Sequence, residues 1–254
     1  MQSFRGEMMI EMHTSLTVMS YNIQHGRGMD DRYDLVRIAN VIRDSGADII
    51  ALQEVDRHFA DRSNYEDTIA VLAAQLEMNY AYGANLDWAP EPGRSERRQY
   101  GIAVLSKYPI VKQRHYLLNS FDSEQRGLLE TEIDVNGARL FFYATHLGLE
   151  ENERMAQTEE ILEIAAARAG SAVVAGDFNA YPDGPEIAHM TQAFCNVFAD
   201  MPMAYTYPAG EANETLDYIL VGSEVIFGER REVIQTLASD HYPIVARLSL
   251  SRER

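Results

Sequence analysis

The chain of 254 residues is 46% hydrophobic and 24% charged, which are ordinary proportions for a globular protein and exclude a disordered chain. Its 22 basic and 39 acidic residues give a formal charge of -17. This excess of acid disfavours nucleic acid as a partner, because nucleic-acid binding depends on Lys and Arg that neutralise phosphates.

The start of the chain lacks the continuous apolar run of a signal peptide. We expect residues 1–15 to form a poorly ordered leader and residues 16–254 to form a single domain, without a transmembrane segment. The single cysteine, Cys195, cannot form an internal disulfide, so nothing indicates an oxidising compartment. We therefore expect a cytoplasmic protein.

Hydrophobic periodicity in the first part of the chain predicts alternating strands and helices, which are a strand at 16–22, a helix at 33–42, a strand at 47–53 and a helix at 67–76. Asp30 or Asp31 would cap the first helix, which ends near Gly46. The second strand opens at Glu54 into a polar loop. Residues 83–100 show no clean period and predict a long surface loop.

The second part of the chain predicts mostly strands, at 101–105, 111–118, 127–134, 138–145, 171–176, 215–221, 242–250 and, with a weaker pattern, 232–236. Asn136-Gly137 is typical of a tight hairpin turn, so the strands on either side of it should pair antiparallel. The longest helical pattern covers 150–168. Together the elements predict an α+β fold in which two mixed β-sheets pack face to face and are flanked by helices.

Polar clusters interrupt the apolar runs at strand ends. Glu54 follows one buried strand and Asn22 ends the first, so each could offer an oxygen ligand to Mg²⁺ or Mn²⁺, which prefer such ligands. Asp177 and Asn179 are two residues apart, so in an extended segment both would point to one face, an arrangement that suits a catalytic water.

Several histidines accompany these clusters. His241 follows Asp240, a second carboxylate that could serve the metal, and Asp217 lies inside an apolar strand where pairing with His241 would offset its burial. His146 is a second imidazole at a strand end. Two further histidines that follow the Asn22 and Glu54 clusters are left open as cleft residues, namely His25 and His58. Zinc is not indicated, because paired cysteines and a His-x-x-x-His helix are missing from the sequence.

Five arginines form two groups that could make a local basic patch or be solvated surface charge, which are Arg94, Arg97 and Arg98 in one segment and Arg57 and Arg62 in another.

The chain resembles the endonuclease/exonuclease/phosphatase superfamily of metal-dependent phosphoesterases. Seven clusters in the expected order carry the resemblance: Ser20-Tyr21-Asn22, Leu52-Gln53-Glu54-Val55, Tyr100-Gly101-Ile102-Ala103, Thr145-His146-Leu147, Gly176-Asp177-Phe178-Asn179, Leu216-Asp217-Tyr218 and Ser239-Asp240-His241. The resemblance implies a four-layer α/β sandwich with two packed mixed β-sheets.

The resemblance also implies roles for single residues. Glu54 would bind Mg²⁺ or Mn²⁺ with help from Asn22 and Asp240, while Asp177 would activate the attacking water with support from Asn179. The phosphate would be held by three further side chains, which are His241 with its partner Asp217, and His146.

We expect from this a metal-dependent phosphohydrolase that cleaves a small-molecule or lipid-headgroup phosphoester by in-line attack of water. Two alternatives stay open. One is a DNA endonuclease or abasic-site nuclease, which the acidic charge disfavours, and the other is a non-catalytic module that binds a phosphorylated ligand. The motifs do not distinguish a phosphomonoester from a phosphodiester.

Overall fold

Two six-stranded β-sheets packed face to face form the centre of the molecule. A computed structural model of the protein describes residues 13–251. The predicted leader, residues 1–15, lies outside the described residues apart from 13–15, which already belong to the first strand.

Both sheets are mixed. In spatial order the first sheet contains β11 (Val225–Val233), β12 (Ile244–Ser251), β1 (His13–Asn22), β2 (Ile49–Arg57), β4 (Arg98–Ser106) and β3 (Asn79–Trp88). The second contains β5 (Ile110–Leu117), β6 (Gly127–Val135), β7 (Ala138–His146), β8 (Ser171–Asp177), β10 (Asp217–Val221) and β9 (Cys195–Asn196). Each sheet has a parallel pair, β1 with β2 and β7 with β8, beside antiparallel neighbours. The parallel pairs place the carboxyl ends of their strands at one edge of each sheet.

Helices cover the outer faces of the sheets. The first sheet packs against α1 (Leu35–Ser45) and α2 (Thr68–Leu76), and the second against α3 (Glu151–Ala166) and α4 (Pro185–Met190). Apolar side chains from both sheets fill the space between them, among them Val18, Ile49, Phe142 and Val173. The order helix, sheet, sheet, helix confirms the predicted four-layer α/β sandwich. No helix within residues 13–251 is long and apolar enough to cross a bilayer.

Local sequence signals explain several of these boundaries. Asn136 and Gly137 both have positive φ, 55° and 89°, and join β6 to β7 as the predicted antiparallel hairpin. Helix α2 is capped by Asp67, whose side chain accepts from the Ala70 N–H. Helix α1 is capped by Asp34, so the predicted cap at Asp30 or Asp31 was wrong.

Two predictions about the first sheet were also wrong. The expected surface loop over 83–100 is largely the hairpin of β3 and β4, and only 89–97 connects the two strands. Sequence periodicity missed β3 because it is an edge strand whose side chains are only partly buried. The second error concerns Glu54, since β2 runs through this residue to Arg57 and does not open into a loop.

Candidate active site

The second sheet aligns polar residues across three adjacent strands, β7, β8 and β10, at the edge where β7 and β8 end. His146 is the register partner of both Gly127 and Asp177, and Asp177 is in turn the partner of Asp217. The predicted strand-end residues of this sheet therefore meet because of strand register. The side chains of His146, Asp177 and Asp217 are almost completely buried there.

The first sheet brings Asn22, Glu54 and the segment before β12 to the same place. The pairing of β2 with β4 shifts register between Leu52 and Val55, and Glu54 lies in this bulge with φ of 58°. Bulges of this kind re-aim a side chain next to functional sites. Here Glu54 is turned into a pocket that is also lined by Asp240 and His241.

One oxygen, Oδ2 of Asp177, lies where both sheets meet. Asn22 Nδ2 donates to it over 3.0 Å, and the Nε2 atoms of His146 and His241 lie 3.6 Å and 3.7 Å away. The last two distances are longer than direct hydrogen bonds. The other Asp177 oxygen, Oδ1, accepts from the Asn179 N–H at 2.9 Å.

His241 and Asp217 form the expected pair. The Nδ1 atom of His241 lies 2.9 Å from Asp217 Oδ2, with both side chains buried. Burial by itself would lower the pKa of His241, but the charges of Asp217 and Asp177 outweigh this effect and raise the pKa to about 10. His241 is therefore a cation with two N–H donors at neutral pH, one directed to Asp217 and one towards Asp177.

Asn179 reaches the pocket in a different way from the one predicted. Strand β8 ends at Asp177 and Asn179 has φ of 48°, so the two residues do not lie in one extended segment. The chain turns back instead, and Asn179 Nδ2 donates to the Leu147 carbonyl oxygen at 3.0 Å. Both Asp177 and Asn179 still line the pocket.

His146 is held between two cations. Nη1 of Arg126 lies 3.3 Å from His146 Nδ1, and His241 is on the opposite side across Asp177. Burial, followed by the charges of Arg126 and His241, lowers the pKa of His146 well below its usual value. The His146 ring is consequently neutral at physiological pH.

The carboxylates of the first sheet suit a divalent cation. Glu54 Oε1 accepts from Asn22 and Asp240 Oδ1 accepts from Ser239, whereas the second oxygen of each carboxylate has no hydrogen-bond donor among residues 13–251. Burial raises the pKa of Glu54 to about 7, and the charges of Asp240 and Asp177 act in the same direction. Asn22 Oδ1 accepts from the Gln24 N–H, so its amide faces Glu54 with the nitrogen. The donor set fits a divalent cation such as Mg²⁺ or Mn²⁺, which Glu54 and Asp240 could hold while Asn22 orients Glu54.

A second group of potential ligands consists of Asp177, Asp217 and His241, whose ligand atoms lie within 4.8 Å of one another. Two of these ligand atoms, His241 Nδ1 and Asp217 Oδ2, are already hydrogen-bonded to each other. Because His241 is a cation here, its ring nitrogens offer no lone pair to a metal ion.

The pocket has a volume of about 550 Å³ and contains side chains that the sequence did not single out. Arg126 precedes β6, Arg154 lies on α3, and Tyr207 packs its ring 4.8 Å from that of His241. Arg126 and Arg154 are isolated residues in polar stretches and Tyr207 belongs to no motif, so neither periodicity nor motif spacing could have indicated them. Their positions depend on how distant segments fold together.

Other candidates lie elsewhere. His25 and His58, which follow the Asn22 and Glu54 clusters in sequence, do not line this pocket. The remaining histidines are His13 in β1, His115 against Asn85, and His189 against Thr158.

Four of the five arginines considered as a basic patch pair with carboxylates, namely Arg57 with Asp67, Arg62 with Asp56, Arg97 with Asp87, and Arg98 with Glu91. These four guanidinium groups are therefore neutralised by nearby carboxylates.

Known proteins resemble this chain in sequence. It is 33% identical over 176 residues to the uncharacterized protein YbhP of Escherichia coli (strain K12). This alignment covers 65% of this chain and 67% of that protein. It is also 27% identical over 154 residues to sphingomyelinase C of Bacillus cereus. This alignment covers 56% of this chain and 44% of that enzyme.

The fold is shared with a solved structure of an endonuclease/exonuclease/phosphatase from Beutenbergia cavernae, with a TM-score of 0.76 and 22% identity. The similarity covers 94% of this chain and 72% of that one. Residues 19–241 match the sequence profile of the Endonuclease/Exonuclease/phosphatase family. The chain therefore belongs to this family of metal-dependent phosphoesterases.

Proposed function

We propose that the protein is a Mg²⁺- or Mn²⁺-dependent phosphohydrolase that cleaves a small-molecule or lipid-headgroup phosphoester by in-line attack of water. The observation that carries the proposal is the convergence of Asn22, His146 and His241 on Asp177 Oδ2, beside two carboxylates that suit a divalent cation. A base surrounded by donors and next to a cation site is what phosphoryl transfer to water requires.

Asp177 is the base in this proposal. Burial raises the pKa of Asp177, although the charge of His241 acts in the opposite direction. A carboxylate with a raised pKa accepts a proton more readily near neutral pH. Asp177 would take the proton of the attacking water, while Asn179 and Asn22 hold the two carboxylate oxygens in place.

The donors around Asp177 would stabilise the phosphoryl oxygens. His241, kept charged by Asp217, would direct its Nε2–H to an oxygen on which negative charge develops, and His146 would donate a second hydrogen bond. A cation held by Glu54 and Asp240 would supply further charge neutralisation. The bond from phosphorus to the leaving oxygen breaks as the bond to water forms.

Charge and size favour a small substrate or headgroup. The formal charge is -17, and the two arginines that line the pocket are paired with carboxylates, Arg126 with Glu124 and Arg154 with Glu186, so phosphates of a long nucleic acid would meet few free cations there. The sequence similarity to sphingomyelinase C of Bacillus cereus supports a headgroup phosphodiester as one candidate substrate. The predicted cytoplasmic location stays a prediction that cell fractionation would test.

The test is hydrolysis of bis-p-nitrophenyl phosphate and p-nitrophenyl phosphate with Mg²⁺, Mn²⁺ or EDTA, for the wild type and His241→Ala. We expect metal-dependent turnover that falls at least about 100-fold in the variant, the scale typical of general acid–base groups. His189→Ala, which removes an imidazole from α4, is the matched control.

Lack of turnover on both esters, followed by lack of turnover on a wider panel that includes sphingomyelin, would contradict the proposal. Vigorous metal-dependent cutting of plasmid or of duplex with an abasic site would favour a nuclease instead. Calorimetric binding of phosphoesters without turnover would favour a binding module.

A further inference from the structure

Arg126 is a buried cation to which neither the sequence motifs nor the proposed reaction assigns a role. Only 6% of the residue is exposed, although it lines the pocket beside His146. Its backbone N–H donates to Ser120 Oγ at 2.8 Å, which fixes the residue directly before β6. A guanidinium in this position is costly to bury and needs partners that use its N–H groups.

The Nη1 atom of Arg126 has two such partners. It lies 3.2 Å from Glu124 Oε1 and 3.3 Å from His146 Nδ1. An Nη atom carries two hydrogens, so one can go to the carboxylate and the other to the imidazole. The contact with the charged Glu124 also orients the guanidinium plane against the His146 ring.

This contact determines where His146 carries its proton. Arginine has donors and no acceptor, so His146 Nδ1 must offer its lone pair to Nη1 and cannot be protonated. The ring is then neutral, with its single proton on Nε2. Nε2 is the atom that lies 3.6 Å from Asp177 Oδ2.

We propose that Arg126 is a positioning residue, which holds His146 in the neutral Nε2–H form and thereby leaves Asp177 as the base of the site. The groups directed towards Asp177 Oδ2 from Asn22, His146 and His241 are then all donors. A proton on Nδ1 would turn His146 either into a cation that competes for the Asp177 carboxylate or into a tautomer whose Nε2 lone pair faces it. The consequence for turnover rests on the proposed function, whereas the position of the proton does not.

The test is two-bond ¹H–¹⁵N NMR of the full chain with ¹⁵N-labelled histidine, which distinguishes the two neutral tautomers and the imidazolium ion. The chain has 7 histidines, and the His146 signals are those missing from His146→Gln. We expect an unprotonated Nδ1 and a protonated Nε2 at pH 7 in the wild type and in Arg126→Lys, which keeps a donor-only cation. In Arg126→Met we expect Nδ1 to carry a proton in a large fraction of molecules.

A second variant covers the case in which Arg126→Met does not fold. Arg126→Gln has a carboxamide that can donate or accept, so it no longer excludes a proton on Nδ1, and the same spectral change is expected. Arg114→Met, on the outer face of β5, is the matched control and should leave the His146 spectrum unchanged.

Turnover gives an independent readout. We expect Arg126→Met to lower kcat about 10- to 100-fold, as for other residues that orient a functional histidine, and to cost less than about twofold in a His146→Gln background. A wild-type spectrum with Nδ1–H, or an unchanged spectrum in Arg126→Met, would overturn the proposal. So would additive losses in the double variant. If the chain hydrolyses no phosphoester, the spectra alone still decide where the His146 proton lies.

Discussion

The two halves of the pocket both contain carboxylates but surround them with different numbers of hydrogen-bond donors. On the side of the first sheet, Glu54 and Asp240 each keep one oxygen without a donor among the described residues. On the side of the second sheet, both oxygens of Asp177 have donors, from Asn179 and Asn22. The different surroundings favour different roles: Glu54 and Asp240 are suited to binding a cation, and Asp177 is suited to acting as a base.

Neither half is complete without the other. Asn22 ends β1 in the first sheet but donates to Asp177 in the second, and His241 precedes β12 in the first sheet but pairs with Asp217 in the second. The site lies where the two sheets meet, which we call the seam. Its functional side chains therefore come together only when the two sheets pack against each other. Variants on either side of the seam should therefore fail in different ways.

The largest effect is expected on the donor-rich side. Asp177→Asn keeps the shape of the side chain but removes the proposed base, so kcat should fall at least about 100-fold with the fold intact by circular dichroism. Binding of Mn²⁺, measured by calorimetry, should change little because Glu54 and Asp240 remain. Asp183→Asn, in the exposed turn beyond Asn179, is the control. Near-normal turnover in Asp177→Asn would mean that another group is the base.

On the side of the first sheet, a change at Glu54 should alter metal binding and the free energy of unfolding. The pKa of Glu54 is raised from 4.5 to about 7, so in the metal-free protein this group lowers stability as pH rises from about 4.5 through 7. Glu54→Gln removes that loss, and we expect its metal-free form to gain about 1–3 kcal/mol at pH 8. It should also lose the rise in Tm that Mg²⁺ or Mn²⁺ gives the wild type.

Urea unfolding at pH 4 and pH 8, with and without metal, measures both effects. Glu211→Gln, on an exposed loop, is a matched control that should leave both unchanged. If Glu54→Gln were stabilised by metal as strongly as the wild type, Glu54 would not be a ligand.

A third prediction concerns the pair that joins the two halves. The folded pKa of His241 is about 10 against a usual 6.5, so its contribution to stability is fully present below pH 6.5 and is lost as pH rises through 10. We expect the metal-free wild type to lose about 3–4 kcal/mol between pH 7 and pH 10 from this group. Asp217→Asn should show a smaller loss, because His241 then has one counter-charge fewer. Equal pH profiles for the two proteins would contradict the assignment of charge.

The smallest effect is expected away from the seam. Asp34 caps α1 by accepting from the Arg37 N–H at 3.0 Å, and Asp34→Ala should cost about 1 kcal/mol of stability without changing kcat. Asp44→Ala, near the other end of the same helix, makes no cap and should cost less. A loss of turnover in Asp34→Ala would mean that α1 is coupled to the pocket.

Much of the fold was predictable because its signals are local. Asn136-Gly137 specified a hairpin, and the apolar runs at 47–53 and 171–176 specified buried strands. Strand β3 was not predictable, since an edge strand with partly buried side chains lacks a strong period. The cap of α1 was misplaced by a few residues, because several aspartates precede that helix and only its backbone geometry selects Asp34.

The chemistry-bearing residues at strand ends could be proposed from the sequence, because a polar side chain that closes an apolar run is unusual. Their arrangement could not. The bulge that turns Glu54 into the pocket, the turn that redirects Asn179 and the contact of Arg126 with His146 have no signal in the neighbouring sequence.

The sequence by itself determined the layers of the fold and the residue types of the site, because side-chain period and strand-end polarity are properties of short segments. Only the tertiary structure decided which donors meet which oxygen. Asn22 and Asp177 are 155 residues apart, and Arg126 and His146 are 20 apart. Contacts over such separations depend on strand register and on how the two sheets pack, and these are settled by the chain as a whole.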